Sequence, residues 1–82
     1  MQVSYRESAV YSLALKAQAD RAEAMTSLNL LLNHPAGIGD HSTDDLHRNL
    51  NEALVKLADA DDRLNTINTY FPGVVNFQNA NS

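Results

Sequence analysis

Between Leu46 and Phe71 the apolar positions Leu46, Leu50, Ala53, Leu57, Ala60, Leu64, Ile67 and Phe71 recur at steps of 4, 3, 4, 3, 4, 3 and 4. A strand alternates with period two, so this seam fits only an α-helix that lays one narrow stripe against another helix. Ser42 or Thr43 supplies a capping hydroxyl, and Asp44 and Asp45 complement the positive end of the helix dipole. Pro72-Gly73 ends the run, because proline lacks the amide that the next turn needs. The second helix is thereby predicted over about 42–71.

The first helix is predicted over about 4–33. Ser4-Tyr5-Arg6-Glu7 has the spacing of a capping box, in which hydroxyl and carboxylate each take the other residue's amide. No glycine or proline interrupts the chain from Tyr5 to Asn33, and six alanines favour the helix. At 1.5 Å per residue such a helix is a rod of roughly 43 Å. Its seam reads Val10, Ala14, Ala17, Arg21, Ala24, Leu28 and Leu31, with small residues in the middle that let another backbone come close. Arg21 is the exception; a charge facing inward needs a partner, and an antiparallel hairpin offers Asp61 or Asp62.

The fold class is therefore all-α: one domain, residues 1–82, forming a long antiparallel two-helix hairpin. A loop over 34–41 joins the helices, and a short tail over 72–82 follows. In the tail Val74, Val75 and Phe77 can pack against the hairpin or across a subunit boundary, with 78–82 a candidate frayed end. A second stripe on helix 1, Leu15, Ala22, Met25 and Leu32 with Leu13 and Leu30 beside it, widens the apolar surface beyond what one equal helix can cover. With 82 residues and no cysteine, further burial has to come from association, so an oligomeric helical bundle is expected.

Charge and hydropathy narrow the function classes. Six Lys and Arg against ten Asp and Glu give a net charge of −4, the opposite of the basic face that a genomic nucleic-acid binder presents. No apolar run approaches the roughly 18 residues of a membrane span, and MQVSYRES lacks the order of a signal peptide. The chain is read as soluble and cytoplasmic, with no membrane partner and no cofactor.

The loop "LLLNHPAGIGDHSTDDL" holds the densest set of chemically capable side chains. Asp44 and His47 have helical metal-ligand spacing, and His41 or Asp40 could join them, yet neither an HExxH nor a paired ExxH pattern is present, and no metal is expected. A nucleophile would have to be Ser42 or Thr43 with His41 as base, but those hydroxyls serve better as caps, so no enzyme is expected. Gly37-Ile38-Gly39 before a helix N-terminus resembles an anion cradle, although the neighbouring aspartates already fill that role. The candidate ligand-binding residues are Tyr5, Arg6, Tyr11, Lys16, His34, Ile38, His41 and Arg48. Intrahelical pairs are expected for Lys16 with Asp20, Arg48 with Asp44 and Glu52, Glu52 with Lys56, and Asp59 with Arg63.

The hairpin, "HPAGIGDHSTDDL" followed by "LNEALVKLADADDRLNTINTYF", resembles the small helical proteins carried by tailed bacteriophages. In size and architecture it is also similar to the viral sponge proteins, oligomers that sequester the cyclic-nucleotide signals of bacterial defence without cleaving them. This resemblance implies a non-enzymatic oligomer in the host cytoplasm that holds a small anionic nucleotide between subunits. The alternative is a coiled-coil assembly module that binds itself or a host or virion protein.

Overall fold

The computed structural model describes residues 4–33 and 43–73. The described chain is two helices: α1 spans Tyr5–Asn33 and α2 spans Thr43–Tyr70. Both stand within one residue of the predicted bounds. The capping box forms as read, with the Glu7 amide donating to Ser4 Oγ at 3.0 Å and the Ser4 amide donating to Glu7 Oε1 at 3.3 Å. At the far end the Phe71 amide still donates to the Ile67 carbonyl at 2.8 Å. Pro72 then removes the next donor, and Gly73 turns the chain at a φ of 93°, a left-handed conformation that costs a side-chain-bearing residue steric energy.

The helices run antiparallel. Early residues of α1 meet late residues of α2, as in Arg6 over Phe71 and Asp20 beside Arg63, while Leu30 and Leu31 share a groove with Asn49 and Ala53. The principal extents are 56 × 22 × 20 Å and the radius of gyration is 16.5 Å, well above the roughly 12 Å of a compact globule of this length.

The two seams face each other. On α2 every seam residue from Leu46 to Phe71 is buried or half-buried, and on α1 every one except Arg21 is. Ala14, Ala17, Ala24 and Ala60 are completely covered, and Ala14 and Ala17 form the centre of the core with Leu64, against which Ile67 packs. Small side chains thus occupy the closest approach. Among the described residues no large side chain is fully buried and no charged one is buried.

Each seam divides its helix into two flanks. Because both helices are right-handed and they run antiparallel, residues one position before a seam residue fall on the same broad side of the hairpin for both helices. Lys16, Asp20, Glu23, Lys56, Asp59 and Arg63 all stand in that position. Residues one position after the seam make the opposite broad side, where Tyr11, Leu15, Ala22 and Met25 of α1 lie beside Leu54 and Ala58 of α2. Leu32 continues this side. Leu13 and Leu30, grouped with the second stripe by sequence, precede Ala14 and Leu31 and belong instead to the charged side.

Candidate functional site

On the charged side the ion pairs interlock. Arg63 donates from its Nε to Asp59 at 3.0 Å and from a terminal guanidinium nitrogen to Asp20 at 2.7 Å, and Lys16 donates to Asp20 at 3.4 Å. Lys56 reaches across to Glu23 at 2.5 Å, so the rung assigned by spacing to Glu52 and Lys56 gives way to one between helices. The Arg63 hydrogen bond holds the Asp20 carboxyl below its ordinary pKa, with Lys16 adding to the effect. Reciprocally, Asp20 holds Arg63 above its ordinary value, and the Glu23 hydrogen bond does the same for Lys56. These are solvated pairs, which fix the register of the two helices more than they stabilise them.

Arg21, the charge within the α1 seam, donates from Nε to Asp61 at 2.8 Å. Asp61 follows a seam residue, so this pair emerges on the apolar side, near the middle of the hairpin, with both side chains about half exposed. The partner was legible in the sequence; the side was not.

Around it the apolar side is open. Tyr11 is 46 %, Leu15 45 %, Leu32 62 % and Leu54 54 % exposed. Uncharged polar residues stand among them, Gln18 and Asn29 on α1 and Asn51, Asn65 and Asn68 on α2, so the side is poor in charge and carries its apolar side chains mainly on α1 and around Leu54. Leu54 was not singled out by sequence, although its position directly after Ala53 on the α2 seam was a readable signal.

The sequence-derived ligand candidates are distributed rather than gathered. Tyr5, the first residue of α1, is 89 % exposed, and the Arg6 guanidinium lies over the Phe71 ring, 5.2 Å from its centroid. That pair borders an open recess of about 340 Å³ with Glu7, Val10 and Tyr70. Tyr11 belongs to the apolar side and Lys16 to the charged side. Arg48 pairs with Asp45, in place of the Asp44 and Glu52 ladder, near the opposite end of the hairpin from Arg6. His34, Ile38 and His41 lie outside the described residues, as do Asp40, Ser42 and the tail from Val74 onward. A second open groove, about 420 Å³, runs along the charged side between Leu30, Leu31, Asn49 and Lys56.

Among the described residues no group of three His, Asp or Glu side chains could hold a metal, and no helix is long and apolar enough to cross a membrane. Comparison with protein-family models, with curated proteins and with solved structures finds no match for this chain.

Proposed function

We propose that this chain is a helical interaction module that works by association through the apolar broad side of its hairpin. One observation carries the reading. Of the described positions directly after a seam residue only Asp61 is permanently charged, against Lys16, Asp20, Glu23, Asp45, Glu52, Lys56, Asp59 and Arg63 directly before one, and Tyr11, Leu15, Leu32 and Leu54 are exposed on the side with so little charge. Contact of that side with another helical surface would remove those side chains from water at about 25 cal/mol for each Å² of apolar area. Neither groove combines a nucleophile, a base and an enclosed space, so the reading is non-enzymatic.

Hydroxyl-radical footprinting tests it. In cell extract Tyr11, Met25 and Leu54 should label more slowly than in the highly diluted purified chain, and the slowing should vanish in a L15E/L54E variant that keeps its helicity. Equal labelling in extract and at dilution would remove the proposal.

A second reading has its own observation: at the recess beside Arg6 a guanidinium and two aromatic rings, Phe71 and Tyr70, come together. Such a group suits a phosphate next to a stacked base, as a phage-borne sponge for cyclic-nucleotide defence signals would require. Titration calorimetry with cyclic di- and trinucleotides tests this directly, and absence of heat with wild type eliminates it.

A further inference from the structure

We infer that the apolar side is covered by a second copy of this chain, related by a two-fold axis parallel to the helices, so that α1 of each copy lies against α2 of the other. The inference rests on the interaction reading above and names its partner.

Size and charge both favour self-association. Helices of 29 and 28 residues make a side about 43 Å long, and the hairpin is 22 Å across. Each copy would thus cover roughly 900 Å² of the other, against about 800 Å² per partner in a standard stable interface. Among the described residues of this side the only permanently charged groups are Arg21 and Asp61, one of each sign and half exposed. A patch that must match itself needs equal and opposite charges, and this one has them.

The position of the pair selects the two-fold axis. Arg21 and Asp61 stand at one level of the hairpin, slightly to the loop side of the centre of α1. With the axis along the helices that level is kept, and Arg21 of one copy faces Asp61 of the other. With the axis across the helices α1 would face α1, which brings two Arg21 guanidiniums close together and, on α2, two Asp61 carboxylates. The same parallel axis sets Ala22 against Ala58, a narrow waist, and Met25 against Leu54. All four helices are then antiparallel to their neighbours, as in an up-down bundle.

The experiment compares the wild type with the double variant R21D/D61R, which restores the in-chain pair with reversed polarity and so keeps the hairpin intact. The two chains, one of them isotope-labelled, are mixed in equal amounts and examined by native mass spectrometry. Each should form dimers with itself, and mixed dimers should fall about tenfold or more below the statistical share, since mixing sets Arg against Arg and Asp against Asp. Mixed dimers at the statistical share would overturn the facing pairs, and an excess of them would mean that α1 lies against α1. Chains that stay monomeric at high concentration would overturn the second copy itself; slower labelling in extract would then still support the wider reading, with a different partner.

Discussion

Ala17→Leu tests whether the close approach of the helices is what orders this hairpin. Ala17 is completely covered and sits in the core with Ala14 and Leu64, so three added carbon atoms have no space to enter. Seams packed on small residues hold helix axes near the lower end of the 8–10 Å range. A leucine there drives the helices apart or forces a poor rotamer, at about 1–3 kcal/mol. A separation of even ~1 Å would also carry the cross-helix bonds, 2.7 Å for Asp20 with Arg63 and 2.8 Å for Arg21 with Asp61, past the usual limit of a hydrogen bond. For a chain of this size the loss corresponds to a drop in Tm of roughly 5–20 °C. Thermal unfolding by circular dichroism at fixed concentration measures it, with Ala19→Leu, on the exposed back of α1, as the control that should stay within about 0.5 kcal/mol. If A17L melts with or above the wild type, the alanine seam is not what sets the helix spacing and the packing argument fails.

Leu57→Asp should abolish cooperative unfolding, because it places an unpaired carboxylate in the middle of the α2 seam; a cooperative melt near the wild-type temperature would contradict the seam assignment. Ser4→Ala removes one half of the capping box and should cost about 0.5–2 kcal/mol in chemical denaturation, with the loss of amide protection confined to the first turn of α1. The hairpin should also loosen in acid. Asp20 is lowered by its Arg63 bond, so its contribution is fully present above the ordinary carboxylate pKa of about 4 and disappears as pH falls through its lower folded value. Asp20→Asn should flatten the pH dependence of stability in that window, and an unchanged slope would refute the assignment. At the alkaline end Lys56, raised by Glu23, contributes below its ordinary pKa and loses that contribution as pH rises through the higher folded value.

The helices were legible because their signals are local. A capping box, an unbroken alanine-rich run and Pro72-Gly73 act within a turn or two, and the heptad steps include every buried residue of the described helices. The candidate site was legible only in part, because which side a flanking residue occupies depends on the direction of the other helix. Leu13 and Leu30 look like neighbours of Leu15 and Leu32 on a list of apolar residues; standing one position before the seam instead of one after, they belong to the opposite side. The same rule diverted Lys56 from Glu52 to Glu23, since within-helix spacing cannot register a carboxylate 33 residues away. For Arg21 the partner follows from sequence, because an antiparallel hairpin by itself sets the middle of α1 beside Asp61.

The distribution of size between the seam and the open side ties folding to association. Inside the hairpin the completely covered residues are alanines, each of which removes little apolar surface from water, while Leu15, Leu32, Leu54 and Tyr11 remain outside. In an ordinary small domain that order is reversed, with the larger side chains supplying most of the hydrophobic stabilisation. Here Tyr11, Leu15, Leu32 and Leu54, a share of the unclaimed gain, lie on the face proposed to meet a second copy, while Leu13, Leu30, Val55 and Tyr70 are exposed elsewhere. Stability should accordingly depend on protein concentration, because dissociation exposes that face before the alanine seam opens. A Tm that rises with concentration for the wild type and is constant for L15E/L54E would join the two steps. A concentration-independent wild-type Tm would mean that the seam alone supports the hairpin and that the apolar side contributes nothing to its stability.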